Sequence, residues 1–129
     1  MLKKIFTWWN GATLGTLFDV NRRAKIVGED EYGNRYFEEP NPTIEGRRRR
    51  YVIYKSYAEA STVPVDWHGW LHHTFDAPPT KEPFQIKSWE KPHRANLTGT
   101  VFAYRPKGSL ISITNDARVE KTDYEAWKP

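Results

Sequence analysis

The sequence predicts a mainly β protein: a small three- to four-stranded antiparallel sheet with one short helix, and long extended N- and C-terminal segments. Runs of β-branched and aromatic residues recur at 25–27, 36–37 and 48–55, separated by turn-forming clusters. Leu, Ile, Val and Phe together supply only 26 of 129 residues, while aromatic residues reach 15%, with six Trp and seven Tyr. That is close to the level at which a chain struggles to build a core of its own. Six of the nine prolines lie after residue 75, where they interrupt regular structure.

Residues 1–20 form the expected N-terminal docking segment. The stretch MLKKIFTWWNGATLGTLF has two lysines, the pair Trp8-Trp9 and no acid before Asp19. Its composition suits a segment lying at a membrane interface and equally a terminal helix docked on protein. Asn10-Gly11 interrupts the apolar run, so neither a secretory signal nor the roughly 20 apolar residues of a membrane span is present.

Residues 21–76 are expected to make a small β-rich domain with a short helix. Lys25-Ile26-Val27 and Tyr36-Phe37 flank Asp30-Glu31-Tyr32-Gly33-Asn34, a hairpin signal in which Gly33 or Asn34 takes φ > 0. After Pro40-Asn41-Pro42, the run Arg48–Lys55 reads as a third strand. The helix is placed around Val65–His73: Pro64 suits its first turn and Asp66 its positive end. Trp67, Trp70 and Leu71 share one face at i, i+3 and i+4. Asp76-Ala77-Pro78-Pro79 ends it.

From residue 77 to 129 the expectation is an extended arm, rich in proline and aromatic residues. Only Thr100–Tyr104 and Leu110–Ile113 resemble short strands. Trp89 and Trp127 are among rings that recur throughout, in a pattern that disordered linkers lack.

The net charge is +4, with +3 in residues 1–60 and +1 in residues 61–129. Arg47-Arg48-Arg49-Arg50 is the one concentrated basic block. Trp, Tyr and Arg without a matching aliphatic core is the composition of binding surfaces. Trp8, Trp9, Arg48, Arg49, Arg50, Trp89 and Trp127 are therefore the candidate partner-binding residues.

Chemistry has little support. Cysteine is absent, which removes disulfides, thiolate ligands and a cysteine nucleophile and fits a reducing compartment. His68 and His72, four apart, could face one ion, but two ligands make no site and the zincin glutamate is missing. No nucleophile elbow and no phosphate-cradling loop occurs. No catalytic, cofactor-binding or metal residue is assigned. Arg47–Arg50 beside Tyr51 and Tyr54 could bind a nucleic acid, yet no reading motif accompanies the block, and no nucleic-acid partner is expected.

The succession LGTLF (14–18), VGEDEYGNRYFE (27–38), RRRRYVIYK (47–55), VPVDWHGWLHHTFDAPP (63–79), PHRANLTGTVFAYRPKGSL (92–110) and DYEAWKP (123–129) resembles an accessory subunit of respiratory complex I. That family is the supernumerary subunit of NADH:ubiquinone oxidoreductase related to the assembly factor mimitin. The likeness covers nearly the whole chain. Its most specific parts are D-x-x-G-N-x-Y-[FY]-E, R-R-[RW]-[WY]-V-x-Y and W-H-x-W-L-H. The C-terminal segment looks more like the alphaproteobacterial form, which also suits a chain that opens without a presequence.

The resemblance implies a non-catalytic subunit without a cofactor, bracing the peripheral arm against iron–sulfur subunits near the quinone site. It implies a peripheral place on the cytoplasmic side of a bacterial inner membrane. Gly33, Asn34 and Tyr36 would form the hairpin turn and its exit, and Trp67, His68, Trp70, Leu71 and His72 the helix closing the sheet, a packed plug. The tail argues for a resident subunit, with a transient assembly factor of the same family as the alternative and a nucleic-acid-binding module as the alternative of another class.

Overall fold

The computed structural model describes residues 11–106 and Trp127. Trp8 and Trp9, and the strand expected at Leu110–Ile113, lie outside the described residues. The described residues fall into two compact units divided after Ala95.

The first unit is built on a three-stranded antiparallel sheet in the order β1 (Lys25–Glu29), β2 (Arg35–Pro42), β3 (Arg48–Ile53). Helix α1 (Leu14–Arg23) precedes it, and a 3-10 turn (Ala60–Thr62) and helix α2 (Val65–Leu71) follow. The sheet and α2 match the sequence expectation, and α1 is a second helix beyond the one expected. Thr13 starts α1, its hydroxyl accepting from Thr16 N at 3.2 Å. Arg22 and Arg23 occupy the last turn, where cations complement the helix dipole. Arg23 also reaches back to Asp19 at 2.8 Å.

The β1–β2 hairpin turns through Gly33, whose φ of 82° is costly for any residue with a Cβ. Asp30 N donates to Asn34 O at 3.1 Å and Gly33 N to Asp30 O at 3.0 Å. A bulge interrupts the register between Ile26 and Gly28. The β2–β3 connection closes with Thr43 N donating to Arg47 O at 2.8 Å. Its irregularity falls on β2 between Glu38 and Pro42, where Pro40 and Pro42 have no N–H to donate.

Strand alternation gives the sheet two different faces. On one, Phe37 and Ile53 pack with Val20 and Ala24, while Leu17 and Tyr51 lie partly buried around them. On the other, Tyr36 packs with Val63, Trp67 and Trp70, fringed by Val27, Val52, Tyr54 and Leu71. Each core is small, as the aliphatic count requires, and aromatic rings fill the second.

The segment after α2 returns to the sheet. Phe75 and Phe84 meet edge to face at 4.8 Å, Tyr32 Oη donates to His93 O at 2.6 Å, and His93 Nε2 lies 2.8 Å from Ser61 O. Residues 77–95 of the expected arm thus contribute to the first unit. In the second unit, Thr100–Tyr104 is a series of turns and no strand. Thr100 N bonds Leu97 O at 3.0 Å and Phe102 N bonds Thr100 Oγ1 at 3.2 Å. Val101, Phe102 and Tyr104 have strand-forming side chains, but no neighbouring strand pairs with them among the described residues, and Gly99 at φ 85° starts a turn instead.

Candidate partner-binding surface

The stretch WHGWLHH splits by face. Trp67 stacks on Tyr36 with ring centroids 3.9 Å apart and planes 5° from parallel. Trp70 meets both rings edge on, at 6.3 Å from Tyr36 and 5.6 Å from Trp67. Tyr36 and Trp70 are 0% and 1% exposed, so these rings fill the sheet's second face. Leu71 borders them, half-buried. His68 and His72 point outward on the opposite side of α2, their rings 4.3 Å apart. No group of three or more metal-ligating side chains occurs among the described residues.

Two glycines admit this packing. A Cβ at Gly28 would lie 2.7 Å from Thr80 Cγ2 and 2.8 Å from the Trp67 ring. At Gly69, on the buried side of α2, it would strike the Phe75 ring. Helix α2 closes with His73 in the left-handed region at φ 59°. His73 N donates to Trp70 O at 3.0 Å and Thr74 N to Gly69 O at 2.9 Å, the paired bonds of a Schellman termination.

Asp30 organises the hairpin. Its Oδ1 accepts from Tyr32 N and Asn34 N, and its Oδ2 from Asn34 Nδ2 at 2.9 Å and Tyr36 Oη at 2.8 Å. Asn34 is buried, and its side chain also reaches Thr62 O at 3.3 Å and accepts from Lys55 N at 3.3 Å. One amide thereby ties together the hairpin, the 3-10 turn and the end of β3.

Burial, then the hydrogen bond to Asp30 and the charges of Asp30 and Asp66, raise the Tyr36 phenol well above its ordinary value. A group that holds its proton more tightly when folded contributes stability below its unfolded value, about 10 for a phenol, and loses it as pH rises further. The folded state is therefore expected to weaken above about pH 10, and Tyr36→Phe to flatten that slope by up to about 1.4 kcal/mol per pH unit. Urea titrations at several alkaline pH values measure it, and parallel slopes for the two proteins would refute the assignment.

The four arginines do not act as one block. Arg48 and Arg49 are exposed, with Arg48 3.5 Å from Glu38. Burial raises the Tyr51 phenol, its bond to Glu39 adds to this, and Arg49 opposes it. Arg50, expected to face a partner, is turned inward, with its side chain 6% exposed. Its Nε donates to Glu38 at 3.0 Å, and its terminal nitrogens donate to the carbonyls of Trp70, Phe75 and Asp76. Its guanidinium lies 4.6 Å from the Trp70 ring centre. The reason is strand parity: Arg50 and Val52 share the face that α2 covers, while Arg49 stands on the other.

An open groove flanks the start of β3, with Asn41, Thr43, Arg47, Arg48, Arg49 and His73 among its lining. Burial and then the nearby Arg50 and Arg47 lower the His73 imidazole, keeping it neutral beside the arginines. Large apolar side chains remain exposed around the unit, including Phe18, Ile26 and Ile44. Trp89, 72% exposed, has Lys87 Nζ 5.5 Å from its ring, and Trp127 is 83% exposed. Arg48, Arg49, Trp89 and Trp127 are thus open to solvent, whereas Gly33, Asn34, Tyr36, Trp67, Trp70 and Leu71 build the sheet domain. Asp30, the first residue of the D-x-x-G-N motif, holds it together with Gly28 and Gly69, which the sequence did not single out.

Residues 24–129 match the family model described as NADH ubiquinone oxidoreductase subunit NDUFA12. The chain is 42% identical over 91 residues to NADH dehydrogenase [ubiquinone] 1 alpha subcomplex subunit 12 of Dictyostelium discoideum, covering 68% of this chain and 64% of that one. It is 40% identical over 106 residues to the Bos taurus protein of the same name, covering 72% and 71%. A lower similarity, 29% over 89 residues, covering 59% and 51%, links it to the Mus musculus alpha subcomplex assembly factor 2.

Proposed function

Because the chain belongs to the NADH ubiquinone oxidoreductase subunit NDUFA12 family, we propose that it is an accessory subunit of complex I that catalyses nothing itself. It braces the peripheral arm beside iron–sulfur subunits near the quinone site and supports assembly or stability during NADH-to-quinone electron transport. The observation that carries this reading is the family match across residues 24–129. Large exposed rings alongside two exposed arginines support it, because this is the composition of interface anchors. Trp8, Trp9, Arg48, Arg49, Trp89 and Trp127 are the proposed contacts, while Arg50 acts indirectly by keeping β3 and α2 in place.

The proposed location is peripheral, on the cytoplasmic side of a bacterial inner membrane, in keeping with the alphaproteobacterial character of the C-terminal segment. No helix among the described residues is long and apolar enough to cross a membrane. The same family contains an assembly factor, and the similarity to it is lower than to the subunits, which favours the resident role. A nucleic-acid role is disfavoured because Arg50 is spent inside the fold.

An affinity tag on this chain, followed by gentle solubilisation of membranes, is expected to recover NADH:quinone oxidoreductase activity together with it. Deleting the gene should lower the amount of assembled enzyme far more than turnover per intact complex. Migration only as a free monomer, or with ribosomes, defeats the reading.

A further inference from the structure

The sheet ends in two edges that differ. On β1 the bulge between Ile26 and Gly28 breaks the ladder, and Thr80 packs against Gly28. Bulged, covered edges resist pairing with another chain. On β3 the six residues Arg48–Ile53 run without an extra residue, because the irregularity opposite them belongs to β2. Among the described residues no backbone hydrogen bond joins Arg48–Ile53 to any segment other than β2. Alternate residues of an edge strand turn their N–H and C=O groups outward, leaving a template for one more strand.

We propose that β3 receives an extended, carboxylate-bearing segment of a neighbouring protein subunit, which adds to the sheet as a fourth strand. The inference rests on the subunit reading above and specifies how one partner is held. Length favours it, since six residues suffice for an added strand to bond repeatedly along the edge. Charge then selects the occupant. Arg48 and Arg49 stand on opposite faces of β3. Among the described residues Arg48 is held only by a 3.5 Å pair with Glu38 that leaves its side chain 56% exposed, so it and the exposed Arg49 can both swing to a strand laid beside β3. Past the start of the strand the groove sets Arg47, Arg48 and Arg49 against Glu39 and Glu45, so the arginines outnumber the acids by one. Arginine also differs from the lysine that commonly guards edges, because its planar fork pairs a carboxylate through two hydrogen bonds. Outward backbone groups supply the ladder, and the arginines supply the preference for acid.

Hydrogen exchange read by mass spectrometry distinguishes this arrangement from side-chain contact alone. The chain is compared free and within the enzyme recovered through its own tag. Amides of Arg48–Ile53 are expected to exchange at least about tenfold more slowly in the enzyme, while those of β1 change little. Arg48→Glu together with Arg49→Glu should lower the fraction of enzyme carrying the chain about tenfold, with Arg→Gln at both positions intermediate. Near-ultraviolet circular dichroism of the free variants establishes that the sheet remains folded. If the chain co-purifies with the enzyme but β3 exchanges as it does when free, the edge inference is wrong and the subunit reading stands. If it never co-purifies, the subunit reading fails and this inference falls with it. Concentration-dependent protection of β3 in the free chain would assign the edge to a second copy, and protection by anionic vesicles to a lipid surface; either result overturns the proposal.

Discussion

Arg50→Ala is expected to cost the first unit about 3 kcal/mol, the lower end of the range for breaking a largely buried ion pair. The value follows from what the guanidinium touches. It bonds the Glu38 carboxylate at 3.0 Å, donates to three carbonyls at and beyond the end of α2, and lies over Trp70. Alanine removes every one of these donors. Among the described residues Glu38 keeps only Arg48, farther away at 3.5 Å, and the end of α2 loses this link to β3. Because domains of this size rest on a margin of only about 5–15 kcal/mol, such a loss takes a large share of it. Urea unfolding followed by fluorescence of the buried Trp67 and Trp70 gives the number. Arg50→Lys should recover less than half, since one ammonium cannot reproduce a fork that bonds a carboxylate and three carbonyls at once. A loss below about 1 kcal/mol, the level of an exposed pair, would show that Arg50 is a surface residue after all.

Arg50 also shows what the sequence reveals and what it hides. The hairpin and third strand are legible because Ile26, Val27, Tyr36, Phe37, Tyr51, Val52 and Ile53 favour strands and Gly33 supplies the turn. Helix α2 is legible from Pro64, Asp66 and the Trp67–Trp70–Leu71 spacing. Counting four arginines as one block conceals that period two sends Arg50 to the aromatic face with Val52. The signal was present in the parity of the strand.

Other features were hidden for different reasons. Helix α1 buries only Val20 fully, and Gly15 and Thr16 weaken its pattern, so its signs are the Thr13 cap and the Arg22-Arg23 terminus. Gly28 and Gly69 are fixed by Thr80, Trp67 and Phe75, contacts that no local pattern encodes. The return of residues 77–95 depends likewise on distant partners, Tyr32 for His93 and Gly28 for Thr80. Proline content reports that such a segment lacks regular structure and says nothing about where it lies.

The other large effect is expected at Asp30, inside a segment read from sequence as no more than a turn. Its carboxylate accepts four hydrogen bonds, two from backbone N–H groups and two from the side chains of Asn34 and Tyr36. Both of those side chains are buried, Tyr36 completely. In Asp30→Ala the phenol stays packed against Trp67 and Trp70 without its acceptor, while the Asn34 amide keeps only Thr62, whose O lies at 3.3 Å, among the described residues. The stranded phenol costs about 1–3 kcal/mol and the hydrogen bond lost by the amide about 1 kcal/mol more, so a total of about 2–4 kcal/mol is expected. Asp30→Asn should fall between, since its remaining oxygen serves the backbone donors while its NH2 faces Asn34, itself a donor. Adding Tyr36→Phe to Asp30→Ala removes one stranded donor, so the double variant should be less unstable than the two single losses added together. Urea midpoints of the four proteins close that cycle. Strict additivity would mean that Asp30 and Tyr36 act independently, and the hairpin would then owe its shape to Gly33 and the backbone alone.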